Sequence, residues 1–77
     1  MQISKKRLGA NVRAARERKG MSVEELAMGI VERTETVEKI EAGTMQGDMS
    51  LEVALSICFA LDITSNELFE GVGMFDA

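Results

Sequence analysis

Apolar residues recur along this chain at helical intervals, and most of the recurrences are bounded by a start or stop signal. Leu8, Val12 and Ala15 form one stripe, which predicts a helix from about Ser4 to Lys19. Gly20 stands where a left-handed cap would end it, a conformation open to glycine because it has no Cβ. Ser22-Val23-Glu24-Glu25 has the form of a capping box: the serine oxygen accepts from the third residue's amide and the glutamate reaches back. A second helix therefore opens there, with Leu26, Ala27 and Ile30 on its buried side. After a turn at Gly29-Ile30-Val31-Glu32, a third helix is predicted from about Thr34 to Glu41, with Val37 and Ile40 inward and Gly43 as the stop. Thr44 to Asp48 has turn chemistry and no helical stripe. A fourth helix starts near Ser50 and is expected to turn Leu51, Ala54, Leu55, Cys58 and Leu61 inward. Thr64-Ser65-Asn66-Glu67 is a second capping box, opening a short fifth helix in which Leu68 packs and Gly71 ends the element.

This pattern predicts an all-α, compact five-helix domain over residues 1–71, with a short C-terminal tail at 72–77. Val72, Met74 and Phe75 of the tail are either frayed or part of a dimer seam, and Phe59 and Phe69 are packing or interface residues. There is no strand alternation and no repeat. Short connections imply tightly packed neighbouring helices.

Composition narrows the picture. The 77 residues suffice for one core, and proline is absent. Cys58 is the only cysteine and there is no histidine, so a disulfide framework and a Cys/His zinc site are excluded. A lone thiol suits a reducing compartment, and the cytoplasm is the expected location; Cys58 itself reads as core filler. No apolar run approaches the roughly 20 residues of a membrane span, and no apolar stretch follows Lys5, Lys6 and Arg7 as a signal peptide would require. The net charge of −4 is unevenly spread. Residues 1–20 carry seven basic residues against Glu17, whereas residues 21–77 carry Arg33 and Lys39 against twelve acids. A basic end on an acidic body fits either an anionic partner or a solvated helix face.

The informative constellation is Leu26-Ala27, Val31, Val37, Ile40-Glu41 and Gly43. An apolar pair, a tight turn and then apolar residues three apart fix two helices at a steep angle, leaving one face of the second helix free. Such a face fits a DNA major groove.

With these motifs in place, the chain resembles the lambda-repressor-like, Cro-like helix-turn-helix proteins of the Xre family, from Leu8 to Gly71. The resemblance rests on Leu8-Gly9-x-x-Val12-Arg13-x-x-Arg16, Lys19-Gly20-Met21-Ser22-x-Glu24-Glu25-Leu26-Ala27, Ile40-Glu41-x-Gly43, Ser50-Leu51-Glu52-x-x-Leu55-x-Ile57-x-x-Ala60-Leu61 and Asn66-Glu67-Leu68-Phe69, in order. It implies a helix-turn-helix formed by helices two and three, and sequence-specific binding of double-stranded DNA by a repressor-like transcriptional regulator. It further implies a homodimer whose recognition helices lie about 34 Å apart, one DNA turn. Arg33, Thr34, Glu35, Glu38 and Lys39 would then face base edges. Phosphate candidates are Arg13, Arg18 and Lys19 toward the end of helix one, the cap Ser22, Thr36, and Thr44 and Gln46 in the following loop. Lys5, Lys6 and Arg7 read either as an arm reaching a neighbouring phosphate or as a solvated, frayed end. The resemblance also implies an ion pair between Arg16 and Glu41, tying the recognition helix to the scaffold.

The sequence departs from the family at the same surface. Glu35 and Glu38 would meet a polyanion, though glutamate accepts from the cytosine amino group, and Glu35 can instead pair with Lys39 along the helix. Val31 occupies the turn position usually held by glycine, and Val23, Met28, Met45 and Met49 replace more usual residues. The alternative function is thus a protein-interaction module, for example an antagonist of another regulator, with its partner on the Val23/Met28/Met45 surface. No cofactor is implied. An enzyme is not expected, because there is no histidine, no glycine-rich phosphate loop and no nucleophile with a base beside it.

Overall fold

The computed structural model describes residues 4–45 and 49–72. Five helices follow one another: α1 (Lys5–Arg18), α2 (Val23–Gly29), α3 (Thr34–Ala42), α4 (Leu51–Leu61) and α5 (Ser65–Leu68). No strand occurs among the described residues.

The helix starts follow side-chain chemistry. Ser4, Ser22, Ser50 and Thr64 each accept from an amide of the first turn of α1, α2, α4 and α5. At α2 and α5 the boxes close fully: Glu25 accepts from the Ser22 amide at 2.7 Å, and Glu67 from the Thr64 amide at 2.9 Å. Each cap satisfies a donor the helix cannot serve and stabilises by about 1 kcal/mol. The stops are conformational. Gly43, with φ of 74°, sits in the left-handed region and lets the Thr44 amide reach the Lys39 carbonyl at 3.0 Å. Two residues without glycine's freedom do likewise: Asp62 (φ 56°) ends α4, and Val31 (φ 57°) makes the α2–α3 turn.

The core draws on every helix: Leu8, Val12 and Ala15 from α1, Leu26 and Ala27 from α2 with Ile30 behind them, Val37 and Ile40 from α3, Ala54, Ile57 and Leu61 from α4, and Leu68 from α5. Full burial of side chains such as Leu26 and Ile57 contributes roughly 1.5–3 kcal/mol each. α3 lies against α1 and α2, while α4 packs on α2, α5 and α1.

Two expectations are corrected. The inward face of α4 is Ala54, Ile57 and Leu61; Leu51 and Leu55 point outward and Cys58 is half-buried. α4 is apolar on nearly every side, so periodicity alone does not choose a face. Val72, placed in the tail by sequence, is buried in the core, so it cannot form a dimer seam. Met74 and Phe75 lie outside the described residues. A clasp explains the burial of Val72. The Ser4 amide donates to the Val72 carbonyl at 3.0 Å, Arg7 Nε to Glu70 O at 3.2 Å, and Asn11 Nδ2 to the carbonyls of Leu68 and Glu70, each at 2.8 Å. These bonds satisfy carbonyls left open at the end of α5.

Candidate nucleic-acid interface

The candidate surface is the outer side of α3. Val37 and Ile40, both buried, seat the helix on the core, and Leu26 beneath it is fully buried. Arg33, Glu35, Glu38 and Lys39 are exposed, and Thr34 and Thr36 are half-buried. Helical spacing accounts for the division: buried positions 37 and 40 share one face, and 35, 38 and 39 fall elsewhere on the cylinder. Arg33 is the N-cap residue, and its side chain makes no capping bond. Lys39 Nζ lies 3.6 Å from Glu35 Oε2, both side chains more than half exposed; a pair so open to solvent contributes about 0.3–0.5 kcal/mol and separates readily.

Arg16 fixes the far end of α3. Its Nε donates to Glu41 Oε2 at 2.6 Å and its Nη2 to Glu41 Oε1 at 3.0 Å, while Nη1 donates to the Met21 carbonyl at 2.9 Å. Both side chains are close to buried, at 12% and 9% exposure. The forked guanidinium thereby holds together α1, the α1–α2 link and the end of α3. The hydrogen bonds to Glu41 raise the Arg16 pKa above its usual value despite partial desolvation, so the charge persists at all working pH values.

Gly9, beside Leu8 in α1, is a second determinant. A Cβ at this position would run into the carbonyls of Ile40 and Glu41, 2.5 Å from the Glu41 oxygen. α1 therefore meets the α3 backbone directly at Gly9, and the Arg16 fork closes the same contact two turns on. The available signal was a glycine inside an otherwise helical pattern, which usually marks close packing.

The phosphate candidates divide. Arg13 lies one turn from both Gly9 and Arg16, on the α3 edge of α1, exposed and paired with Glu17 at 3.2 Å. Ser22 is occupied in its capping box. Thr44 is exposed beyond the end of α3. Arg18 and Lys19 line hollows with Asp62, Ile63 and Glu67 on the α4–α5 side, away from the Arg13 edge. Gln46 lies outside the described residues. Lys5 and Arg7 are neither a free arm nor a frayed end: both belong to α1, and they donate to Met45 O at 3.1 Å and Glu70 O at 3.2 Å. The apolar surface expected at Val23, Met28 and Met45 is not continuous. Val23 and Met45 pack half-buried against the core, leaving only Met28 strongly exposed. Met49 is likewise half-buried against the core.

No cluster of metal-ligating side chains occurs among the described residues, and no described helix is long and apolar enough to cross a membrane.

The fold and this surface define a helix-turn-helix domain. Residues 11–72 match the family model described as the Cro/C1-type helix-turn-helix DNA-binding domain, and the chain belongs to that family. Solved structures agree. The restriction-modification controller protein C.AhdI from Aeromonas hydrophila is 34% identical, with 84% of this chain and 96% of that chain covered and a TM-score of 0.78. The clp gene regulator ClgR from C. glutamicum is 26% identical, covering 88% of this chain and 86% of that one, with a TM-score of 0.76. SinR, the master regulator for biofilm formation, was solved in complex with DNA. It is 23% identical over 79% of this chain and 95% of that one at a TM-score of 0.73, a likeness of fold alone. No curated protein matches the sequence.

Proposed function

We propose that this chain is a sequence-specific, repressor-like regulator of transcription that acts in the cytoplasm as a homodimer and lays α3 in the major groove of duplex DNA. The observation that carries the reading is α3 itself. Its apolar side is locked by Val37, Ile40 and the Arg16–Glu41 fork, while Arg33, Glu35, Glu38 and Lys39 are exposed. A rigid helix with a free polar side is what base readout needs, because side chains must reach base edges from a fixed frame.

The residues divide by chemistry. Arg33 and Lys39 can donate to the O6 and N7 of guanine; Glu35 and Glu38 can accept from the cytosine amino group; Thr34 offers a hydroxyl and a methyl. Arg13, on the same edge, is the phosphate candidate best placed to fix the register, with Ser22, Thr36 and Thr44 as neutral donors. Opening the exposed pairs Glu35–Lys39 and Arg13–Glu17 costs little, so both cations are available to DNA. With few cations and two acids at the surface, affinity depends on matched bases more than on bulk charge.

The test is selection from a pool of random duplexes at two ionic strengths. A consensus is expected, with affinity falling on a log–log salt plot by about 0.9 per phosphate neutralised. Lys39→Glu should relax or abolish the consensus, and Arg13→Glu should weaken all sequences alike. Absence of binding to any duplex at low salt refutes the reading.

A further inference from the structure

The first turn of α1 carries Lys5, Lys6 and Arg7 and holds no acid. The positive end of a helix dipole disfavours cations, so groups outside α1 must offset the arrangement. For two of the three the offset is a carbonyl: Lys5 Nζ donates to Met45 O at 3.1 Å, and Arg7 Nε to Glu70 O at 3.2 Å. Lys6, between them, is exposed, and its ammonium has no hydrogen-bond or ion-pair partner among the described residues. Its backbone is nonetheless held in place. A Cβ on Gly43 would stand 2.9 Å from Lys6 Cα and 3.1 Å from Lys6 Cγ. The start of the Lys6 side chain therefore lies directly over the glycine that ends α3. Glu41, the last acid of α3, is already held by the Arg16 fork.

We propose that Lys6, carried on α1, binds a backbone phosphate of duplex DNA at the exit of α3, supplying there the cation that the segment after α3 lacks. The proposal rests on the reading of α3 as the recognition helix, and adds to it a second charged phosphate anchor besides Arg13.

The argument begins from the two ends of α3. A recognition helix reads base edges with its N-terminal residues, which leaves its other end nearer the backbone at the groove wall. In α3 that end is Ala42, followed by Gly43 and the exposed Thr44. It is also the negative pole of the helix, so a phosphate is repelled there unless a cation intervenes. The chain offers none locally. No lysine or arginine follows Lys39 in the sequence, and Asp48 adds an acid to the α3–α4 connection. Lys6 is the cation whose stem overlies this end. A compact ammonium on a flexible stem suits a point contact with a phosphate oxygen, and the Thr44 hydroxyl, one residue beyond Gly43, offers a neutral donor to the same group.

Helical spacing joins this contact to Arg13. α1 meets the α3 backbone at Gly9. Lys6 lies one turn before that point and Arg13 one turn after it. Seven residues make about two turns, so Lys6 and Arg13 fall on one line along the α3 edge of α1, about 10 Å apart at 1.5 Å per residue. Two cations so placed fix register at two points of the backbone, where one alone leaves the domain free to pivot. Arg18 and Lys19 line hollows on the α4–α5 side and take no part.

The test uses the full chain with two probes: the selected consensus duplex and a random duplex of equal length. Lys6→Gln, at an exposed position, should keep its helical circular dichroism. It should weaken both duplexes by the same factor and lower the log–log salt slope by about 0.9, so that its penalty shrinks about 3.5-fold between about 50 and 200 mM salt. Lys6→Arg should keep the wild-type slope. Single phosphates of the consensus duplex are then replaced, one at a time, by uncharged methylphosphonates. One replacement should weaken the wild-type chain and leave Lys6→Gln unaffected. A purely structural role at the end of α3 gives a different pattern, a lower melting temperature with an unchanged salt slope, and that result overturns the proposal. A loss confined to the consensus duplex overturns it as well. The two readings fail distinguishably. A wild-type chain that selects a consensus while Lys6→Gln binds equally well removes this contact and keeps the function; a wild-type chain that binds no duplex at low salt overturns both.

Discussion

Replacing Arg16 by alanine isolates what holds the recognition helix in place. The substitution removes three donors: two to Glu41, at 2.6 and 3.0 Å, and one to the Met21 carbonyl, at 2.9 Å. It leaves Glu41, whose side chain is 9% exposed, without its partner. Hydrogen bonds to charged groups contribute about 1.5–3 kcal/mol, and stranding one half of a nearly buried pair costs about 3–5 kcal/mol. Residual water contact favours the lower end, so about 3 kcal/mol is expected. At about 0.05–0.15 kcal/mol per residue, a chain of this length holds roughly 4–12 kcal/mol in total. Arg16→Ala therefore removes a large share of it. At roughly 4–8 °C per kcal/mol for a domain of this size, the melting temperature falls by about 12–24 °C. Thermal and urea unfolding followed by circular dichroism measures the loss. Arg13→Ala is the internal comparison. Its pair with Glu17 is more than half exposed on both sides and is worth about 0.3–0.5 kcal/mol. If Arg16→Ala costs no more than Arg13→Ala, the fork does not anchor α3.

Three further outcomes are expected. Gly9→Ala gains about 1 kcal/mol of helix propensity but drives a methyl into the backbone carbonyls of Ile40 and Glu41. Backbone cannot step aside as a side chain tip can, so a net loss of about 1–3 kcal/mol is expected in urea unfolding; a stabilised variant would refute the close approach. Val31→Gly should raise stability by about 0.5–1 kcal/mol. Val31 is exposed at a φ of 57°, and relief of about 1–2 kcal/mol of left-handed strain outweighs the added freedom of glycine in the unfolded chain; a lower melting temperature would count against the strained turn. Cys58 should react with a maleimide more slowly in the folded chain than in urea between about pH 7 and 9. Burial, assisted by the charge of Glu67, raises its thiol pKa. The folded state therefore holds its proton to higher pH than the unfolded state, and the stability linked to this group declines as pH rises above the unfolded value. Equal rates in the two states would contradict a half-buried thiol.

The sequence by itself determined the elements and their ends, because those depend on residues within one turn of each other. Ser22 with Glu25 and Thr64 with Glu67 are capping boxes wherever they are placed, and Gly43 after Ile40-Glu41 stops a helix by its own backbone freedom. The seat of α3 was legible for the same reason: only Val37 and Ile40 offered it an apolar side. Tertiary structure decided everything that required knowing what lies across a gap. α4 is apolar around most of its circumference, so only packing on α2 and α5 chose Ala54, Ile57 and Leu61 for the core and left Leu51, Leu55 and Phe59 outside. The grip of Arg7 and Asn11 on the carbonyls of residues 68 and 70 joins groups about sixty positions apart, and it draws Val72 into the core from what read as a tail. The turning of Arg18 and Lys19 toward α4 and α5, while Arg13 stays beside α3, followed from the rotation of α1 on its neighbours. Local hydrogen bonds and backbone freedom are written into adjacent residues; the choice between two equally apolar faces is made only when a neighbour covers one of them.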